Sequence, residues 1–354
     1  MKKLEVVFIP APGIGHLVPV FELAKRLIGH DDRISATILA IKSTFPSSVD
    51  SKTKSLAASN PQIKLVDVPK VDPPPQELYI KVTRSLAFML HLPKPNNQIT
   101  AEIKGSDPEI LISGIIIPVR PSVLPSSVTD GSFSAYVKLA ERFRGTFKRW
   151  SKSKSNPSVY PVGPVIDLKG GQADDPSNLP KGQHHKIIKW LDEQPQSYVV
   201  FLCFGSMGSF GTTQVKEISL GLEQSGQRFC GLCACHLYPK AKPPGQAIAQ
   251  ILRTYCQMGS WVGFSKERGF ICGWAPQVQV LAHKATGGFV FHCGWNSILE
   301  SMWHGVPIVT WPISAEQQLN AFRMVRELGL AEELRLDYRK GNMSLLWQMR
   351  LRIL

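Results

Sequence analysis

Apolar positions in the first seventy residues alternate between two spacings. Residues 4–9 form a short apolar run expected to be a buried strand, residues 10–16 a tight loop (Pro-Ala-Pro-Gly-Ile-Gly-His), and residues 17–28 an apolar repeat near 3.6, the period of a helix. Residues 34–41 and 63–68 read as further strands. Strand, glycine loop and helix in succession predict an α/β fold. The pattern then weakens: residues 69–77 are proline-rich, 98–157 carry little periodicity beyond a helical run at 135–150, and 151–183 are polar with many Gly, Pro and Asp. That last stretch reads as an inter-domain linker. Beyond it the alternation resumes, with a helix through 190–195, strand 198–204, a glycine loop at 205–208, helix 213–224, strand 270–273, helix 276–281, strand 288–292, helix 297–304 and strand 307–310. Two α/β domains are expected, 1–167 and 168–354.

Composition narrows the classes. The chain has 354 residues, 43% hydrophobic and 19% charged, enough apolar material for about two cores and incompatible with disorder. No apolar run approaches the ~20 residues needed to cross a bilayer; the candidate at 110–119 is broken by Ser113, Gly114 and Pro118. Lys2 and Lys3 precede an apolar stretch, but Pro10, Pro12 and His16 interrupt it before a signal-peptide core accumulates. The seven cysteines all lie at or beyond Cys203, an odd number and a poor disulfide framework, so a reducing cytoplasm is expected. The net charge of +14 is concentrated at 142–154 and 335–352. No zinc-finger, aromatic RNA-binding or helix-turn-helix pattern surrounds it, so it reads as solvated basic faces and no nucleic-acid partner is expected. Cys230, Cys233, Cys235 and His236 match no zinc spacing; they read as free thiols in an irregular segment, and no metal is expected.

Two constellations carry candidate chemistry. Gly13-Ile-Gly15-His16 sits at the carboxyl end of the first strand, the edge where open parallel sheets bind ligands. It is not a dinucleotide fingerprint, because position 18 is Val18 instead of a third glycine, which argues against a hydride-transferring enzyme. Taken alone, His16 could equally be a helix-cap residue. The second constellation is denser: Trp274-Ala275-Pro276-Gln277, His283, Gly287-Gly288-Phe289, His292-Cys293-Gly294-Trp295-Asn296-Ser297, Glu300, Gly305-Val306-Pro307, Trp311-Pro312 and Glu316-Gln317. His292 ends a strand, and 294–297 open a helix whose free N–H groups form an anion site suited to a diphosphate. Glu300 lies one turn beyond Asn296 on the same face, able to accept from ribose hydroxyls. Trp274 offers a flat face for a base. Trp303, Trp311 and Phe289 read as core, His283 and His304 as structural, and His184-His185 as a solvated helix start.

The stretch from Trp274 to Gln317 resembles the signature box of plant family 1 UDP-glycosyltransferases over its full span, and 190–195 and 200–210 are similar to the same family. The branch it resembles acts on flavonoids, other phenolics and terpenoids. The resemblance implies a GT-B architecture: an acceptor-binding Rossmann-like domain followed by a UDP-sugar-binding one, with reaction in the cleft. It implies that Trp274 stacks on uracil, the Ala275 backbone meets the base edge, and Gln277 and Glu300 hold ribose. It further implies that His292, Gly294 at the helix mouth, Asn296, Ser297 and Ser206 bind the diphosphate, with His292 making a charge-assisted contact. Trp295, Glu316 and Gln317 would contact the sugar, a terminal Gln favouring glucose. His16 would be the general base that draws a proton from an acceptor hydroxyl as it displaces UDP with inversion. UDP-glucose is then a co-substrate, no cofactor is needed, and a cytoplasmic monomer acting on a small lipophilic metabolite is expected.

The chain departs from that pattern in the first domain. The aspartate that orients the histidine in the family sits in an apolar segment not found here; the chain runs from residues 91–97 directly to 107–111, as though central strands and helices were omitted. Asp107 and Glu109 are the nearest acids, and neither is assigned the role. The chain also ends near Leu354 without the family's final helices. An active transferase and a catalytically impaired, nucleotide-sugar-binding relic of the same family are therefore the alternatives.

Overall fold

A computed structural model describes residues 4–10, 14–41, 57–68, most of 103–125, 164–167, 183–205, parts of 210–231, and 268–337 except 273–274. The chain divides into two compact units, Met1–Asp175 and Pro176–Leu354.

In the first unit, strands β1 (Leu4–Phe8), β2 (Ile34–Ile41) and β3 (Ile63–Val68) form a parallel sheet in that order. Helix α1 (Ile14–His30) joins β1 to β2. Leu17, Phe21 and Ala24, spaced to share one face of α1, are buried against Ala36 and Ile38 of β2 and Ile63 of β3. The helix begins three residues before the apolar repeat does. Gly15 and His16 therefore belong to its first turn and not to the loop, and Pro19 removes one N–H from the turn that follows. Arg26 reaches back to the chain beyond, donating to the carbonyl of Ile166 at 3.2 Å.

Strand β1 is not the buried strand that its apolar run suggests. Leu4 and Val7 are 59% and 52% exposed, and β1 pairs only with β2 among the described residues. A parallel strand that apolar is normally flanked on both sides; here the side of β1 opposite β2 carries no described partner.

The second unit is built from six parallel strands: β4 (Val199–Cys203), β5 (Arg228–Gly231), β6 (Gly269–Phe270), β7 (Thr286–Phe291), β8 (Ile308–Thr310) and β9 (Ala331–Glu333). Their spatial order is β6-β5-β4-β7-β8-β9. This is the doubly wound order of Rossmann sheets, in which the winding direction reverses between the first and fourth strands. Helices α2 (Gln183–Asp192), α3 (Gln277–Ala282), α4 (Trp295–His304) and α5 (Gln317–Phe322) accompany them, α5 passing into a π-turn at Arg323–Glu327. Residues 228–231, read from sequence as irregular, are a strand with Cys230 fully buried; α5 and β9 were likewise not anticipated.

Alternation along the strands makes two cores. Val199, Phe201, Phe289 and Phe291 pack on one face with Ile187 and Leu191 of α2; Leu202, Phe204, Val290 and Trp311 pack on the other. Phe289 and Phe291 stack at 4.4 Å between ring centroids, and Phe204 meets Trp311 edge-on at 5.0 Å. Trp303 does not join them. It is 55% exposed on α4, on the side of that helix turned away from buried Ile298 and Ser301.

The β4–β7 register shifts at Val199/Val200, where Gly287 lies between the paired residues Thr286 and Gly288. A Cβ on Gly287 would overlap the carbonyl of Ser197, itself in the left-handed region at φ 59°. Both conflicting atoms are backbone, so the clash cannot be relieved by a rotamer change. Gly287→Ala is expected to cost more than ~2 kcal/mol of the second unit's stability, read as a lowered urea midpoint; an unchanged midpoint would contradict the bulge's role.

Candidate functional site

The carboxyl ends of β4 and β7 flank the point where the sheet's winding reverses, and the turns that leave them define the site. After β7 the chain passes through His292, Cys293 and Gly294 and enters α4 at Trp295. Cys293 adopts φ 62°, a left-handed conformation costing a non-glycine residue ~1 kcal/mol or more. That conformation turns the chain from strand to helix within three residues. Gly294 is the N-cap of α4, with no side-chain cap and no acidic residue in the first turn. The positive dipole end of α4 thus faces outward with no acidic side chain against it, a setting that favours an anion.

The imidazole of His292 is wedged between two glycines. A Cβ on Gly205, after β4, would come within 2.8 Å of its Nε2, and one on Gly294 within 2.5 Å. Both positions must lack a side chain for the ring to occupy the switch point, and Gly205 also has φ 70°. Burial pushes His292 down to about 4, with the Cys203 backbone partly opposing. Its Nδ1 is enclosed without a well-formed hydrogen bond. The ring is therefore neutral in the ligand-free protein at physiological pH. A neutral imidazole N–H can still donate to a charged diphosphate oxygen, so the expected contact would draw its charge from the ligand.

A second group of predicted residues converges from α3 and α4. Gln277 Nε2 donates to Ser297 Oγ at 2.9 Å and to Glu300 Oε2 at 2.6 Å. Ser297 is buried and Glu300 half-buried, so the amide fixes the carboxylate against the first turn of α4. Ala275 precedes this cluster at the start of α3, half-buried. Trp295 is exposed and Asn296 half-buried at the mouth of α4.

The third group lies at the head of α5. Glu316 is its N-cap, following Ala315 at φ 61°. Gln317 Oε1 accepts from the backbone N–H of Ile313 at 2.9 Å and of Ser314 at 2.8 Å. These bonds fix which way the amide is flipped and leave its nitrogen as the end able to donate to a sugar hydroxyl. The sequence reading missed Asn320, one turn on: its buried Nδ2 donates to the Cys293 carbonyl at 3.0 Å. An Asn between Leu319 and Ala321 on a helix otherwise buried was the available signal.

The family model for UDP-glucoronosyl and UDP-glucosyl transferase matches residues 160–337. UDP-glycosyltransferase 71K2 of Pyrus communis is 47% identical over 434 residues, covering 97% of this chain and 87% of the relative. This chain belongs to the plant family 1 UDP-glycosyltransferases. The crystal structure of Medicago truncatula UGT71G1 complexed with UDP-glucose is similar at a TM-score of 0.76 and 41% identity, covering 99% of this chain and 88% of that one. A flavonol 3-O-glucosyltransferase of Arabidopsis thaliana is 35% identical, covering 96% of this chain and 86% of its own length. The fold is GT-B, and the family transfers sugar from a UDP donor to small acceptors with inversion and without a metal. The alignment with the Pyrus relative, at 434 residues, is longer than the 354 residues of this glycosyltransferase, so the relative has internal positions without counterparts here.

Of the predicted site residues in this UDP-glycosyltransferase, Ser206 and Trp274 lie outside the described residues, as do Cys233, Cys235 and His236. His16 is exposed in the first turn of α1, in the first unit. The two acids left unassigned are engaged locally: Asp107 Oδ2 accepts from the Lys104 N–H at 2.8 Å, and Glu109 pairs with Arg120 at 3.2 Å. His184 is not simply solvated, for its Nε2 meets Gln279 Oε1 at 2.6 Å. His283 pairs with Asp192 at 3.2 Å, a structural role as expected.

The lowered pKa of His292 has a signed consequence for stability. Above about pH 6.5 the ring is neutral in folded and unfolded states alike. Between 6.5 and about 4 only the unfolded chain takes up the proton, so stability falls as pH drops through this window, by at most about 3 kcal/mol. The difference between the denaturation profiles of the parent and His292→Asn isolates this share: the parent should lose more stability than the variant from pH 6.5 to 4. Parallel profiles would show that the ring is not held neutral.

Proposed function

We propose that this chain transfers the glucosyl group of UDP-glucose to a hydroxyl of a small lipophilic phenolic, flavonoid or terpenoid, as a cytoplasmic monomer. The observation that carries the reading is the arrangement at the switch point of the second unit, where the uncapped mouth of α4, the His292 wedge and the Gln277–Ser297–Glu300 cluster adjoin one another along a single turn and helix. In this reading Gln277 and Glu300 hold the ribose, while His292, Gly294, Asn296, Ser297 and Ser206 receive the diphosphate. Trp274 and Ala275 take the base. Trp295, Glu316 and Gln317 take the sugar. The four described cysteines, Cys203, Cys230, Cys272 and Cys293, are free thiols, which supports a reducing compartment.

The mechanism follows from these roles. His16 accepts the proton of the acceptor hydroxyl as the oxygen attacks the anomeric carbon from the side opposite UDP, and an α-linked donor gives a β-glycoside. As the bond to the diphosphate breaks, negative charge grows on its oxygen, where the N–H groups at the mouth of α4 are already oriented. The glycosyl bond changes hands, the proton goes to His16, and UDP leaves.

A second reading, a donor-binding relic with little transfer activity, is favoured by the exposure of Leu4 and Val7 on β1 and by the internal positions of the Pyrus relative that have no counterpart here. Calorimetry with UDP and a transfer assay with a phenolic acceptor separate the two. If the enzyme reading holds, the parent turns over, and His16→Ala lowers turnover about 10²–10⁴-fold with UDP affinity unchanged, because the donor residues lie in the second unit. UDP binding without turnover supports the relic; turnover that survives His16→Ala overturns the base assignment; a folded protein that ignores UDP overturns both readings.

Donor choice is tested separately. A site that hydrogen-bonds a hydroxyl of one orientation leaves its polar groups unpaired with the epimer. With Gln317 held as it is, UDP-glucose should outcompete UDP-galactose in binding, and a preference for the galactose donor would refute the sugar-facing roles of Glu316 and Gln317.

A further inference from the structure

Three features of the second unit meet at one buried hydrogen bond. Cys293 holds the left-handed conformation that aims the chain from β7 into α4, and its side chain is almost fully buried. Its carbonyl accepts from Asn320 Nδ2 at 3.0 Å, and Asn320 is itself only 5% exposed. Asn320 is in turn fixed to the head of α5, its backbone N–H donating to the carbonyl of Glu316 at 3.0 Å. Next to Glu316, Gln317 closes the turn before α5 through Ile313 and Ser314. One side chain therefore joins the turn that carries His292 and Gly294 to the turn that carries Glu316 and Gln317.

We infer that Asn320 is a positioning residue for the donor: it touches no substrate, but holds the diphosphate-facing turn and the sugar-facing helix head in a single register. The inference rests on the donor-site reading above and adds to it a specific dependence. A left-handed carbonyl at residue 293 has more than one direction open to it, and the Asn320 amide selects one. With that donor removed, the 293–294 peptide is free to reorient, which moves the N-cap of α4 and the wall behind His292. The Gln277–Ser297–Glu300 cluster has its own hydrogen bonds and does not pass through Asn320. Loss of the tether should therefore weaken diphosphate and sugar recognition while sparing recognition of the nucleoside.

Asn320→Leu, close in volume and without a buried charge, removes the donor. Titrations with uridine, UDP and UDP-glucose, each against parent and variant of full length, read the effect. The expected result is uridine affinity unchanged within a factor of two, UDP affinity lowered about threefold to tenfold, the worth of one buried hydrogen bond, and UDP-glucose affinity lowered further. Equal weakening of all three ligands, or none at all, overturns the inference by showing a merely structural or a dispensable contact. If Asn320→Leu does not fold, Asn320→Asp, which keeps the shape but offers an oxygen to the Cys293 carbonyl, must give the same graded pattern. A parent that binds none of the three ligands would instead defeat the donor-site reading, an outcome distinct from ungraded weakening in the variant.

Discussion

The candidate site of the second unit depends on fitting one imidazole into the gap where the sheet's winding reverses. Because β5 and β6 extend one way from β4, and β7, β8 and β9 the other, the turns after β4 and β7 diverge and leave a space above the strand ends. His292 fills it only because Gly205 and Gly294 have no Cβ. The same ring, half-buried with its Nδ1 enclosed, stays neutral until an anion approaches. Below it the stacked Phe201, Phe289 and Phe291 leave the strand ends little freedom to shift. The site is thus preorganised from the core outward: rings fix strands, strands fix two turns, and two turns aim a helix end.

Much of this was legible in the sequence. Alternating apolar residues gave β2 and β3 with their ends, and located β4, β7, β8 and α4 within two or three residues. Within the box from Trp274 to Gln317, the fold joins Gln277, Ser297 and Glu300, while Trp274 lies outside the described residues. What escaped the sequence was of another kind. The start of α1 was set too late because Gly15 and Pro19 are poor helix formers, although α1 packs firmly through Leu17, Phe21 and Ala24. Trp303 reads as core in the sequence, but it lies 55% exposed on α4, away from buried Ile298 and Ser301. Asn320 was missed because its partner is a carbonyl 27 residues away, and no local pattern announces a hydrogen bond of that separation.

Strand β1 was misjudged for a reason that bears on the enzyme as a whole. Its composition is that of a strand with neighbours on both sides, yet among the described residues it has one, and Leu4 and Val7 meet solvent. The order β1-β2-β3 is half of a doubly wound sheet; in a full one, further strands would continue past β1 and create a switch point at its carboxyl end. His16 follows that end by eight residues beyond Phe8. The local sequence needed to place a histidine on the first turn of α1 is therefore present, whereas the strand that would form the other wall beside it is not among the described residues.

The two units consequently differ in how their chemistry is supported. In the second, α3 and α4 pack through Val280, Leu281 and Ile298 on one core of the six-stranded sheet, and the polar groups hold one another: Gln277 with Ser297 and Glu300, Asn320 with Cys293, Gln317 with the turn at 313–314. In the first, the helix bearing His16 packs through Leu17, Phe21 and Ala24 on β2 and β3. Among the described residues of that unit, Asp107 and Glu109 are engaged by Lys104 and Arg120. The contacts that hold the proposed donor residues thus lie within the second unit, and those that hold the helix of His16, the proposed base, lie within the first.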